Sequence, residues 1–402
     1  MKRRLFVFLL ALVALAVLVA GVDTYLLRPS DMEQGSSPGP FHSAKYLSHY
    51  SKYSLRALLW WADLPTRVTT TTGMDLYRVE YWTTKPDNTQ ALASGLVAIP
   101  RTQPFRGVVS YQHGTTVNRH QAPSQPTLAE GVLGAGLFAG GGYLFVAPDY
   151  LGLGTSHDVH PYLLADTAAN TTVDLLKATR QFAERLGKPW PEALFLTGFS
   201  QGGHATLATQ RKLESQGDSA LHVKAVAAIS GAYDIANIGF PFALQGGSSA
   251  HSLYLAYMVN AYCAAYQQPL ASILSTPYAE LVAKLFDGEH DPEAFVKALP
   301  RAPRDMFTPG FLSDFDQGRP TWLRDALEKN ETFRWKPIAP LRLYYGDLDE
   351  DVSPKESIEA VAEFLRRGSP VQAISVGKYH HDESIYQAIP QVRRWFDEMT
   401  GK

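Results

Sequence analysis

Ala193-Leu194-Phe195-Leu196-Thr197-Gly198-Phe199-Ser200-Gln201-Gly202-Gly203-His204 is the stretch whose reading decides the fold. Ala193 to Thr197 is a short apolar run that reads as a buried strand, and Gln201 to Leu213 reads as a helix. Between them stands the pattern Gly198-x-Ser200-x-Gly202. A chain that passes from strand to helix in so few residues must turn sharply. The residue at the apex then takes a strained backbone conformation, and its side chain is thrust out of the sheet edge. Glycine two residues to either side has a steric reason, since a side chain there collides with the neighbouring strand or with the helix. The apex residue is Ser200, a hydroxyl placed where a nucleophile needs to be.

A serine nucleophile needs a base, and the base needs an acid to orient it. Downstream of Ser200, the strand-like run Leu341 to Tyr345 is followed by Gly346-Asp347-Leu348-Asp349-Glu350-Asp351-Val352-Ser353-Pro354. A second strand-like run, Val371 to Val376, is followed by Gly377-Lys378-Tyr379-His380-His381 and then by a helix-like C-terminus. A carboxylate just past one strand and a histidine just past the last complete the set in the order serine, acid, base.

With that order, the chain resembles the α/β-hydrolases, and within them the lipase and esterase branches. The resemblance covers roughly residues 70 to 400. The acid loop of many members reads Gly-x-x-Asp-x-x-Val and then Pro. Gly346, Asp349 and Val352 match, while Pro354 comes one residue late, so the resemblance favours Asp349 over Asp347 and Asp351. His381 is preferred to its neighbour His380 because His-x-x-Ser, here ending in Ser384, leads into a helix as it does in this branch. The strand Gly107 to Tyr111 ends in Gln112-His113-Gly114-Thr115-Thr116, which resembles the family's oxyanion loop. The resemblance then implies two backbone donors to an oxyanion, the N–H groups of Gln201 and Thr115, with the His113 side chain serving loop geometry. Asp149-Tyr150-Leu151-Gly152-Leu153-Gly154-Thr155-Ser156 resembles a tight turn common beneath the site, and is read as structural.

Composition narrows the rest. The chain has 402 residues, 45% of them hydrophobic, which is enough for a large core. A net charge of −2 offers no basic field to attract nucleic acid. Among 12 histidines the nearest approach to a metal set is His157-Asp158-x-His160, which reads as a plain loop, so neither a metal nor a cofactor is expected. The single cysteine, Cys263, lies in an aromatic helix-like run and reads as a buried apolar residue.

At the N-terminus Lys2-Arg3-Arg4 precede 18 uncharged residues, Leu5 to Val22. Residues 1–22 read as a signal peptide or membrane anchor, so the catalytic domain is expected outside the cytoplasm, secreted, periplasmic or anchored through residues 5–22. Residues 23–40, rich in Ser, Pro and Gly, read as a linker, and residues 41 to 70 as a short helical lead-in.

From there the pattern alternates. Asp75 to Trp82 and Ala91 to Ile99 read as a hairpin. Strand-like runs then interleave with helices at Pro161 to Leu186, Gln201 to Gln216, Pro354 to Arg367 and Asp382 to Met399. This predicts a mostly parallel sheet with helices on both faces, eight-stranded if the resemblance holds. The strand rhythm stops between Asp234 and Pro340. The expected organisation is a core over 41–234, a helical cap over 235–340 and the rest of the core over 341–402. The expected function is a serine carboxylic-ester hydrolase acting on a small-molecule or lipid ester, with apolar acyl groups favoured by the aromatic cap. A serine peptidase of aminopeptidase type on the same fold is the alternative, and a non-catalytic binding protein that keeps the fold is a third reading.

Overall fold

The computed structural model describes residues 31–33, 39–62, 69–125 and 129–401. The signal or anchor expected at 1–22 lies outside the described residues, as does most of the 23–40 linker. Among the described residues no helix is long and apolar enough to cross a membrane.

One sheet carries ten strands: β1 (Met32–Glu33), β2 (Phe41–Tyr50), β3 (Met74–Thr84), β4 (Gln90–Pro100), β5 (Val108–Gln112), β6 (Leu144–Pro148), β7 (Leu194–Phe199), β8 (Val223–Ile229), β9 (Leu341–Tyr345) and β10 (Val371–Ser375). Their spatial order is β1-β2-β3-β4-β6-β5-β7-β8-β9-β10. The first four run antiparallel to their neighbours, and the six from β6 to β10 are mutually parallel. β6 lies on one side of β5 and β7 on the other. Strand order reverses there, the point at which open α/β sheets place their ligand sites at the carboxyl ends of the strands.

The helices are α1 (Lys52–Trp61), α2 (Ala129–Ala139), α3 (Ala165–Arg185), α4 (Gln201–Gln216), α5 (Phe240–Gln245), α6 (His251–Ala265), α7 (Tyr278–Leu285), α8 (Pro292–Ala298), α9 (Pro309–Asp316), α10 (Trp322–Lys329), α11 (Lys355–Arg366) and α12 (His381–Met399). Period-two alternation along the strands divides the core between the two faces. Val108, Leu194, Leu196, Val226 and Leu343 pack with Val173, Leu176, Leu207 and Phe364 of α3, α4 and α11. Val109, Tyr111, Phe195, Ala225 and Ala227 pack with Leu55, Phe138, Val392 and Phe396 of α1, α2 and α12. Strands β5, β6 and β7 are buried along their whole length, as a sheet covered on both faces requires.

Three expectations change. The sheet has ten strands rather than eight, because β1 and β2 precede the expected hairpin. Residues 41–50 form a strand rather than part of a helical lead-in; only 52–61 is helical. Pairing with β3 is shifted between Phe41 and Ser43 and again between Tyr46 and Ser48, so the alternation that marks a strand is broken twice in ten residues. Met32 and Glu33, inside the expected linker, pair with Ala44 and Ser43.

Helices α5 to α10 bury an apolar cluster of their own, including Phe240, Leu255, Tyr262, Phe295 and Leu323, joined by Val117 and Tyr162 to Leu164. Phe333 and Ala339, placed by the sequence in the same insertion, pack into the main core instead. The insertion reaches two loops at the strand ends. Tyr257 donates from its hydroxyl to the Thr116 carbonyl at 3.2 Å, and Tyr254 donates to Asp351 Oδ2 at 3.1 Å.

Candidate active site

The turn from β7 to α4 places Ser200 at φ 56° and ψ −119°, left-handed backbone in a non-glycine residue. Such strain persists only where the surroundings over-determine it. Here the Ser200 N–H donates to the Ile229 carbonyl of β8 at 2.9 Å, and the Ser200 carbonyl accepts from Gly203 N–H at 2.8 Å. A Cβ on Gly202 would run into the Gln112 carbonyl at the end of β5, and one on Gly198 into the Gly202 carbonyl and Thr206 Oγ1. The two glycines therefore let α4 sit against β5 and β7. Thr206 Oγ1 completes the join by donating to Gln112 Oε1 at 2.8 Å.

Ser200 Oγ lies 2.9 Å from His381 Nε2, and His381 Nδ1 lies 2.8 Å from Asp349 Oδ2. All three residues are buried. Asp349 Oδ1 accepts from the N–H groups of Asp351 at 3.0 Å and Val352 at 2.9 Å, which leaves Oδ2 for the imidazole. A carboxylate facing Nδ1 requires a proton there, so Nε2 is the free acceptor turned to the serine hydroxyl. Burial alone pulls the His381 pKa down. The hydrogen bond and charge of Asp349, with Asp351 and Asp382 beyond, outweigh it and set the pKa above the usual value. Ser384 Oγ donates to the His381 carbonyl at 2.7 Å and sits 2.9 Å from Ser230 Oγ, which fixes the start of α12.

The neighbours left open by the sequence lie elsewhere. His380 is exposed at the N-terminus of α12, where its N–H donates to Glu383 Oε2 at 3.1 Å. Asp347 is exposed and accepts from Ser375 Oγ at 2.6 Å. Asp351 is turned to the helical insertion, with bonds from Ser248 Oγ and the Tyr254 hydroxyl.

Gln201 is the first residue of α4, where backbone N–H groups have no partner inside the helix. Gly114 packs on Phe199, a Cβ there lying 3.2 Å from its ring, so the segment carrying Thr115 lies alongside the elbow. Thr115 Oγ1 is 2.8 Å from the Tyr162 hydroxyl. The His113 ring bonds to the carbonyls of Gly114 at 2.7 Å and Asp149 at 3.3 Å, a loop-holding arrangement away from the serine. Asp149 is buried among the hydroxyls of Ser94 and Ser124 and the Ser124 N–H, and burial raises its carboxyl pKa.

The sequence reading missed one contact. His160 Nδ1–H donates to the Leu151 carbonyl at 2.8 Å, so its Nε2 accepts from the Gln201 side-chain amide at 2.7 Å. Burial pushes the His160 pKa down to about 4, which keeps it neutral. A histidine in a turn gives no sign in sequence of a partner 41 residues away. Cys263 is buried, and burial pushes its thiol up to about 12. Among the described residues no group of three His, Cys, Asp or Glu is placed to hold a metal ion.

No family model matches the chain, and no curated protein matches it in sequence. Solved structures do. The chain is similar to a protein of Legionella pneumophila subsp. pneumophila str. Philadelphia 1, described provisionally as a hydrolase. The two share 29% identity at a TM-score of 0.83, over 90% of this chain and 98% of that one. It is similar to the rice cell wall degrading esterase LipA of Xanthomonas oryzae, with 26% identity and a TM-score of 0.78 over 89% of this chain and 96% of that one. Candida antarctica lipase A shares the fold at 13% identity and a TM-score of 0.65, over 91% of this chain and 84% of that one.

Proposed function

We propose that this chain, an α/β-hydrolase of the lipase and esterase branch, is a serine carboxylic-ester hydrolase that works through an acyl-enzyme on Ser200. The carrying observation is the unbroken hydrogen-bond path from Ser200 through His381 to Asp349, beneath an elbow held at positive φ. In the proposed reaction Ser200 Oγ attacks the acyl carbon while its proton passes to His381 Nε2. The carbonyl electron pair moves onto oxygen, where the N–H groups of Gln201 and Thr115 receive it, each contributing about 3 kcal/mol by analogy with other oxyanion donors. The tetrahedral intermediate collapses, and the departing alcohol takes the proton from His381. Asp349 keeps Nδ1 protonated throughout and stabilises the transient imidazolium. Water then repeats the sequence on the acyl-enzyme and releases the acid. Every step uses protein groups and water.

The acyl portion is proposed to be apolar. Tyr162 and Tyr257 stack at 4.6 Å, and Tyr257 stacks on Phe286 at 4.5 Å, next to the Thr115–Thr116 loop. The peptidase alternative draws less support. It needs a free carboxylate to receive a substrate amine; in the acid loop Asp351 and Asp347 are each held by neighbouring side chains, which leaves the exposed Glu350 for that role. Export through residues 1–22 remains part of the proposal and rests on the basic triplet and apolar run alone.

Hydrolysis of a p-nitrophenyl ester series from acetate to palmitate tests the reading, with Ser200→Ala as control. Turnover that disappears in the variant is the expected result. Folded protein that turns over no ester, or a variant as active as the parent, contradicts it.

A further inference from the structure

Helix α1 has two apolar faces. Leu55 and Leu59 are buried against the core. On the outside Tyr53, Trp60 and Trp61 are 68%, 68% and 64% exposed. At the α-helical rotation per residue, Tyr53, Ala57, Trp60 and Trp61 fall within an arc of about 100° opposite the two leucines. Arg56, whose Nη2 donates to the Thr70 carbonyl at 2.9 Å, borders one side of that arc, and Lys52 lies beyond it on the same side with its Nζ 5.0 Å from the Tyr53 ring. A surface helix ordinarily gives its outer face to charged residues, and three large aromatics on ten residues mark a contact site.

We propose that α1 is an interfacial helix that docks the chain on an anionic lipid bilayer, as a second contact beside residues 5–22. Indole and phenol rings favour the headgroup region, where one edge is apolar and the other wet. The two cations on that side complement an anionic surface and oppose a second copy of the same face. Chain connectivity points the same way. The uncharged run Leu5 to Val22 is long enough to span a bilayer. Nine residues carry the chain from Val22 to Asp31, a reach of at most about 32 Å. β1 then pairs directly with β2, and β2 leads through Ser51 into α1. Ser51 Oγ accepts from the Ser54 N–H at 3.1 Å, which fixes where the helix starts. Among the described helices α1 is thus the first past the apolar run.

Sheet register gives the consequence. Tyr50 pairs with Met74, Met74 with Pro100, and β4 runs antiparallel to β6. Helix α1 therefore begins at the end of the sheet where the parallel strands start. Ser200 lies at the end where they finish, so docking through α1 leaves the elbow at the far end of the sheet from that contact.

Tryptophan emission tests the proposal directly, because the chain has 7 tryptophans and residues 1–40 contain none. The full-length protein is reconstituted into vesicles of phosphatidylcholine and phosphatidylglycerol whose acyl chains carry bromine near the headgroup. The expected result is quenching in the parent that is lost in the double variant Trp60→Ser, Trp61→Ser, with melting temperature unchanged. Equal quenching in parent and variant overturns the proposal. So does an unquenched parent; in that case, cross-linking between copies assigns the face to a second chain, and shielding from acrylamide without cross-links assigns it to residues 5–22.

Discussion

Ser200 and His381 are fixed by different parts of the chain, and their meeting within hydrogen-bonding distance is the most demanding feature of the site. The adjacent histidines make a sharp test. His381→Ala is expected to lower kcat by about a thousandfold or more with folding intact, and His380→Ala to leave it within a few-fold of the parent. The reverse ranking in steady-state kinetics would refute the assignment. The pH profile carries the sign of the pKa shift. The base must be neutral to accept the serine proton, and its carboxylate neighbours hold the proton on more tightly than in free histidine. Activity is therefore expected to fall away, as pH is lowered, from a point above the usual histidine pKa of about 6.5. Ser200 was legible in the sequence because a tight turn leaves a glycine signature. The base was not separable from the residues alone, since consecutive residues at a helix start point about 100° apart, here one into the protein and one to solvent. The Gln201–His160 contact was invisible for a related reason, because it is made by folding and leaves no local pattern.

The strand, elbow and helix act as one element, and glycine is what allows it. Gly202→Ala is expected to cost about 1–3 kcal/mol of stability, because the new methyl must push the Gln112 carbonyl, and with it the Thr115 segment, away from the elbow. Activity should fall with it. Gly310→Ala, where a Cβ meets nothing within 4 Å, is the control and should melt within a degree or two of the parent. Equal melting temperatures for the two variants in a thermal denaturation would contradict this account of the elbow. Central strands were the easiest elements to read, since β5, β6 and β7 are short, apolar and followed by turns. β2 was misread because its two register shifts scramble the period-two pattern, and pairing with β3, rather than local preference, decides its conformation.

Across the whole molecule the sheet brings loops distant in sequence to the carboxyl ends of adjacent strands. The elbow follows β7, the acid loop follows β9, and the histidine follows β10. The helical insertion meets the loops at this edge through bonds at Thr116 and Asp351, and Asp351 donates its N–H to Asp349. The break in strand rhythm announced an insertion but not where it stops, because strand pattern resumes only at Leu341 while Phe333 and Ala339 already pack into the main core. The central claim is that this assembly makes one serine, among all those in the chain, a nucleophile. Its most direct test is to treat the folded full-length protein with a fluorophosphonate and map the adduct by peptide mass spectrometry. The account predicts a single phosphonyl group on the peptide containing Ser200, and none in His381→Ala over the same interval. Labelling at another residue, or no labelling of folded parent protein, would contradict it.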